Sequence, residues 1–419
     1  MSASIKGSHV AIVGGSIAGC ATAIALKDAG VAKVTVLERS SSNHLQDRGL
    51  GIGLPKPMQE LLLNSGYLGK GYKFVQTKER RWFVKDVDGD DSWRGRQAWS
   101  QPIPVQLHNW GLLWKELRER VDDYRGGVTV KELAFKEDTG VELKGEDGAS
   151  VGTFDFVVGA DGASSFLHDL LNTNSQPNYS GYVLWRGSYP MDELKCQDHD
   201  YFLRNKVWTT VGFENGHGIF YAIPSSADDN GGYLINWAVY THTPPGLEFT
   251  TPTVVRDVPP DAMRFFEETV RDGLPPYFLE LVTSSSTALS IHPVFDDSPK
   301  SMTHEGSNRI LLVGDACATL RPHTASGTTK ALKDAMAVGK LCKEKLTWAE
   351  VCETYQQERK SEADTRCHAR IPSSELRRGI KCRKRNMQNG FRIKLRSKIT
   401  TSGVMTRTTE LAFFISITM

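Results

Sequence analysis

Residues 10–40, VAIVGGSIAGCATAIALKDAGVAKVTVLERS, decide the fold. The apolar run at 10–13 predicts a strand and Gly14-Gly15-Ser16-Ile17-Ala18-Gly19 a tight turn. Ala23, Ile24 and Leu26 then fall at helical spacing up to a stop at Gly30, and residues 34–37 give a second strand closed by Glu38. Gly14 supplies the turn, Ser16 is small enough for backbone to approach a pyrophosphate, and Gly19 lets helix and strand pack closely. The helix start offers unpaired N–H groups and a positive dipole end to phosphates, and Glu38 is placed to accept from a ribose hydroxyl. Gly14, Gly15, Ser16, Ile17, Ala18, Gly19, Glu38 and the adjacent Arg39 are therefore candidate cofactor-binding residues. An ordinary buried βαβ unit with a glycine-rich turn is the competing reading, and the strand before, the helix after and the terminal acid favour the dinucleotide.

The chain has 419 residues, enough for two or three domains, with 39% hydrophobic and 24% charged residues, as in soluble globular proteins. The N-terminal MSASIKGSHV lacks an apolar signal stretch, and no apolar run reaches the roughly 18 to 20 residues that span a bilayer. Seven scattered cysteines with no CxxC pair fit reduced thiols in a cytoplasmic protein, with no disulfide framework and no metal site. The net charge of +2 conceals an asymmetry, because residues from 374 onward carry eleven Lys/Arg against two Glu. The body is mildly acidic and the tail basic.

Further along, RGLGIGLPKPM at 48–58 sets Gly49, Gly51 and Gly53 at alternate positions, exposing backbone on one face against which something flat can lie. Residues 80–87 and 98–107 read as strands joined across Asp88-Gly89, residues 110–121 as a helix, and 128–143 as strands again. DFVVGADG at 155–162 is apolar on both faces, as a central parallel strand must be, with Asp161 at its carboxyl end where open α/β sheets bind ligands. Residues 179–240 are aromatic-rich and broken by Asn215-Gly216 and Gly231-Gly232, the pattern of an antiparallel sheet. Residues 261–272 predict a helix and 288–295 a strand. NRILLVGDA at 308–316 delivers Asp315 after another apolar strand, and RPHTASGTTKALKDA at 321–335 crosses a proline-containing loop before a long helix opens at Gly327-Thr328. That second helix start again favours negative charge.

Taken together, GGSIAG with Glu38, DFVVGADGASS and VGDACATLRPHTASGTTKALKDA resemble the single-component FAD-dependent aromatic monooxygenases with the para-hydroxybenzoate hydroxylase fold. GYVLWRG at 181–187 and RPHTASGT at 321–328 are similar to the 2,6-dihydroxypyridine 3-monooxygenase branch. The resemblance spans residues 8–370. It implies that Gly14, Ser16, Gly19 and Glu38 hold the ADP half of non-covalent FAD and that Arg48 reaches its phosphates or ribityl chain. Asp161 then serves the cofactor, Asp315 the ribityl hydroxyls, and Pro322 the flavin ring. Backbone N–H groups at Gly327 and Thr328 face the reduced ring's negative edge. The sequence departs from the family at His168, where an arginine is usual, at Cys317 and Ala318 in the Gly-Asp-Ala stretch, and at Asn109-Trp110.

The resemblance further implies an α/β fold, a Rossmann-type FAD-binding domain with an inserted β-rich (α+β) substrate domain. The expected boundaries are 1–75, 103–178 and 290–372 for the FAD domain, 76–102 and 179–289 for the substrate domain, and 373–419 for a basic tail. The implied reaction is hydroxylation of a phenolic or hydroxylated N-heteroaromatic substrate by molecular oxygen through a C4a-hydroperoxyflavin. NADH or NADPH acts as a transient reductant, since no second glycine-rich nucleotide motif follows the first. His323 is the general-base candidate by residue type, with Pro322 beside it. An FAD oxidase or dehydrogenase without oxygen insertion, or a flavin-binding protein without turnover, is the alternative. The tail reads as a solvated segment, so no nucleic-acid partner is expected, and the chain is a monomer or homodimer.

Overall fold

The computed structural model describes residues 4–41, 50–85, 93–136, 140–172, 177–193, 198, 200–225, 232–284, 289–297, 300–322 and 326–367. Arg48, Gly49, Asp88-Gly89, His323 and the basic tail lie outside these residues.

A five-stranded sheet carries the first motif. In spatial order it runs Ile310–Leu312, Phe156–Gly159, His9–Val13, Lys33–Glu38 and Asp123–Gly126. All four pairings are parallel, so every strand ends at the same edge. The register sets Val13 beside both Gly159 and Leu37, and Gly159 beside Leu312. Loops from three distant blocks of sequence thereby emerge side by side. Phe156–Gly159 is fully buried and central, as a strand apolar on both faces requires. The outer strand Asp123–Gly126 was not foreseen: it is polar and partly exposed, and its short run carries no apolar signal.

Helices Ile17–Asp28 and Gly327–Glu344 pack on this sheet against each other. Their approach is close because Gly339 has no side chain; a Cβ there would stand 2.7 Å from that of Ala25. Trp348, on helix Trp348–Cys367, stacks on Phe156 at 3.9 Å between ring centroids and closes the core.

The second sheet has seven strands, ordered Ser290–Asp296, Asn178–Pro190, Tyr233–His242, Gly216–Pro224, Val207–Phe213, Glu79–Val84 and Arg96–Pro102. It is antiparallel except where Val207–Phe213 meets Glu79–Val84. The antiparallel reading of 179–240 therefore holds for that stretch. The strand read at 288–295 is the outer strand of this sheet, because it pairs with Asn178–Pro190. The stretch 98–107 is two strands: it breaks at Ile103-Pro104, and Val105–Asn109 pairs instead with Gly51–Pro55 and Val75–Gln76 in a small separate sheet. Proline lacks the N–H that a continuous ladder needs.

One face of the seven-stranded sheet packs on helices Pro260–Gly273 and Pro276–Thr283, with Trp185, Trp237, Phe266 and Phe278 fully buried between them. The other face carries Tyr182, Trp208, Tyr221 and Tyr240 and meets Val75, Val105 and Leu107 of the small sheet. Gly51 makes that junction. A Cβ on Gly51 would lie 2.4 Å from the Tyr221 ring and 2.7 Å from Asn236. The flat group against this glycine's bare face is thus the protein's own tyrosine. Gly51 N–H donates to Asn236 Oδ1 at 2.6 Å, and Arg186 donates to the Gly51 carbonyl at 3.0 Å.

Candidate cofactor and active site

At the common strand edge, Gly14 takes φ +104° and a Cβ on it would sit 2.3 Å from the Ala160 carbonyl oxygen. The first turn thus rests directly on the chain leading to Asp161. Gly19 is equally constrained: its Cβ would fall 1.9 Å from the Gly14 carbonyl oxygen, so helix and turn meet without a side chain between them. Ser16 is the N-cap of helix Ile17–Asp28 but makes no side-chain cap bond. The first-turn N–H groups beside Ile17 and Ala18 are left to an outside acceptor.

Glu38 is buried and holds two backbone donors, Gly15 N–H at 2.7 Å through Oε2 and Ser40 N–H at 2.9 Å through Oε1. It fixes the turn. Arg39 is exposed. Two residues that sequence reasoning missed also hold the turn. Trp114 Nε1–H donates to the Gly15 carbonyl at 2.8 Å, and the Tyr124 hydroxyl donates to the same oxygen at 3.2 Å. Their only signal was an aromatic on a helical face and another on a polar edge strand.

At the second block, Asp161 Oδ2 accepts Phe166 N–H at 3.1 Å while Oδ1 is buried without a donor among the described residues. Burial pushes its carboxyl up to about 6, against the pull of its hydrogen bonds. His168 bridges the second and third blocks. Its Nδ1 lies 2.9 Å from the Ala316 carbonyl and its Nε2 2.9 Å from Asp297 Oδ2. Burial alone lowers the imidazole pKa, but Asp297 and the Ala316 carbonyl outweigh it and the net shift is upward. The usual arginine's place is thus filled by another cation-capable side chain.

At the third block, Gly314 adopts φ +60° and packs against helix Ile17–Asp28, where an added Cβ would stand 2.8 Å from that of Ala18. Asp315 follows it. Its side chain is exposed, and the neighbouring protein's desolvation raises its carboxyl pKa. Behind it lies a buried charge network. Asp334 accepts Gly314 N–H at 3.0 Å, Lys330 Nζ at 2.8 Å and Arg359 Nη2 at 2.6 Å, while Lys330 Nζ donates to the Gly314 carbonyl at 2.7 Å. Both polar groups of Gly314 are therefore gripped by one i,i+4 pair on helix Gly327–Glu344. That spacing stands in KALKD at 330–334, which the sequence pattern marks only as part of the long helix.

This helix starts at Gly327 with no side-chain cap from Ser326, and a Cβ on Gly327 would meet nothing within 4 Å among the described residues. Its first N–H groups, including that of Thr328, lie at the positive dipole end. Pro322 is exposed just before it. Arg321 ties this loop to the seven-stranded sheet, donating to Asp296 at 2.6 Å.

A group with two phosphates, a ribose, a polyol chain and a ring that becomes anionic on reduction fits this edge. Two uncapped helix starts open at this edge, and Asp161 Oδ1, without a donor among the described residues, and the exposed Asp315 supply acceptors. The arrangement is that of an FAD-binding monooxygenase, and the chain belongs to that family: the FAD binding domain model matches residues 131–367. The chain is 28% identical over 345 residues to the 2,6-dihydroxypyridine 3-monooxygenase of Paenarthrobacter nicotinovorans, covering 80% of this chain and 82% of that one. It is 22% identical over 348 residues to the 6-hydroxynicotinate 3-monooxygenase of Pseudomonas fluorescens, covering 80% and 83% respectively. The solved 2,6-dihydroxypyridine-3-hydroxylase from Arthrobacter nicotinovorans superposes with a TM-score of 0.74 at 25% identity, covering 86% of this chain and 90% of that one. Among the described residues, no helix is long and apolar enough to cross a membrane.

Proposed function

We propose that the protein hydroxylates a small phenol or hydroxylated N-heteroaromatic with molecular oxygen, using FAD reduced by NADH or NADPH. The observation that carries this reading is the meeting of two uncapped helix starts with Glu38, Asp161 and Asp315 at one edge of the parallel sheet. That edge is joined through Gly51 and Arg321 to a sheet face rich in tyrosine and arginine. The names of the two relatives, both of which act on hydroxylated pyridines, support the substrate class.

When bound, FAD supplies the electron transfer and the oxygen activation. The turn from Gly14 to Gly19 binds its pyrophosphate, and Glu38 and Arg39 face the adenosine ribose. Asp315 accepts from the polyol chain, and the Gly327 and Thr328 N–H groups stabilise negative charge on the ring edge. Pro322 packs on the ring and helps exclude water. Asp161 lines the cofactor. Arg48 joins the cofactor contacts, and His323 takes the substrate's hydroxyl proton, both proposed from sequence. The FAD part comprises 1–75, 103–178 and 290–372 and the substrate part 76–102 and 179–289, except that the strand Ser290–Asp296 is assigned to the substrate part because it pairs with Asn178–Pro190, with the reaction between them.

The test is turnover of FAD-loaded protein with NADH or NADPH under 18O-labelled oxygen, across a panel of hydroxypyridines and phenols. The expected product is heavier by one labelled oxygen. Hydrogen peroxide formed with an oxidised, unlabelled product would instead identify an oxidase and refute the proposal.

A further inference from the structure

On the seven-stranded sheet, Arg80 and Trp82 alternate along Glu79–Val84, and Trp208 and Thr210 alternate along the neighbouring Val207–Phe213. The parallel register sets Trp208 beside Arg80 and Thr210 beside Trp82, so all four side chains share one face. It is the face that carries Tyr221 and Tyr240, with the Trp208 and Tyr221 rings 5.7 Å apart. The Arg80 guanidinium lies 4.3 Å from the Trp82 ring centroid and 5.0 Å from that of Trp208, and its Nε–H donates to Thr210 Oγ1 at 2.8 Å.

This cluster is made of donors. Among the described residues Arg80 has no carboxylate partner, and burial pushes its pKa down to about 10. Trp82 and Trp208 are 5% and 8% exposed, and neither indole N–H has an acceptor among the described residues. The same excess continues along the face. Asn236 Oδ1 is taken by Gly51 N–H while its Nδ2 is unmet, and Arg186 Nε is unmet as well. A half-buried arginine with no carboxylate partner among the described residues, packed on two buried indole rings whose N–H groups have no acceptor among them, is costly in a folded protein unless a ligand supplies the missing oxygens. Arginine's fork matches a planar oxoanion, and the flanking rings favour an aromatic carrier.

We propose that Arg80, with the indole N–H groups of Trp82 and Trp208, forms a subsite for the oxoanion, carboxylate or phenolate, of an aromatic substrate. The inference rests on the oxygenase reading, since it names the substrate class of that site. Anionic rings are selected there over neutral rings of equal shape.

The test is calorimetric titration of FAD-loaded protein with benzoate against benzamide, and with 4-nitrophenolate against 4-nitroanisole. Native protein should bind the anion at least about tenfold more tightly in one of the two pairs, the loss expected when one charge-assisted contact is missing. The pair that discriminates identifies the oxoanion. Arg80→Met should reduce that preference to below about twofold with FAD content unchanged. Trp82→Phe and Trp208→Phe keep an aromatic ring at each position while removing the indole N–H, so each should weaken the anion more than its neutral counterpart even if Arg80→Met fails to fold. Equal binding within both pairs, or an anion preference that survives all three substitutions, overturns the subsite and means that water meets these donors. FAD-loaded protein that discriminates anions but incorporates no labelled oxygen would instead refute the oxygenase reading.

Discussion

Asp334→Ala is the most informative perturbation of the cofactor edge. The carboxylate is 1% exposed and accepts from Gly314 N–H, Lys330 Nζ and both Nε and Nη2 of Arg359 at 2.6–3.0 Å. Lys330 is itself 3% exposed, so the substitution strands a buried cation and frees a backbone N–H. Removing one member of such a group costs about 3–5 kcal/mol. At roughly 2–4 °C per kcal/mol for larger domains, melting followed by circular dichroism should fall by at least ~6 °C. Because Lys330 also grips the Gly314 carbonyl, the Gly314-Asp315 loop should loosen and FAD dissociate faster. Adding Lys330→Met removes the stranded charge and should recover part of the melting temperature, since an apolar replacement of a buried pair is often neutral. A single variant that melts within 2 °C or so of native protein and keeps its FAD would refute the idea that this network sets the loop.

Other outcomes follow from the same geometry. Asp315→Ala should weaken FAD about ten- to hundredfold, the worth of one hydrogen bond to a charged acceptor at about 1.5–3 kcal/mol, read from FAD dissociation. A Cβ on Gly327 would meet nothing within 4 Å among the described residues, so Gly327→Leu should fold normally, keep FAD, and lose hydroxylation because the side chain enters the ring's space. Gly14→Val, whose Cβ would lie 2.3 Å from the Ala160 oxygen at φ +104°, should give protein without FAD. The folded-state pKa of His168 is raised above its ordinary value of about 6.5, so its contribution is full below that value and lost as pH rises through the folded-state pKa. Denaturant stability should therefore fall on that alkaline side, and His168→Gln should flatten the fall.

The elements that sequence made legible are those whose chemistry is local. Gly14 and Gly19 had to be glycine because backbone lies against them, and Phe156–Gly159 had to be central because it is apolar throughout. What stayed hidden depends on tertiary contact. The Trp114 and Tyr124 grip on Gly15, the His168 bridge to Asp297, and the clamp on Gly314 join residues far apart in the chain. Nor does periodicity reveal that the bare face of Gly51 is met by Tyr221, or that Arg80 has no carboxylate partner among the described residues. The split of 98–107 into two strands was marked only by Pro104, whose weight against β pattern on both sides was underread.

The most direct test of the account is the visible spectrum of purified protein incubated with FAD and freed of unbound cofactor, beside Gly14→Val treated alike. The account predicts a yellow native protein with about one FAD per chain and a colourless variant. A native protein that retains no flavin, or a variant that retains as much as native, would contradict it.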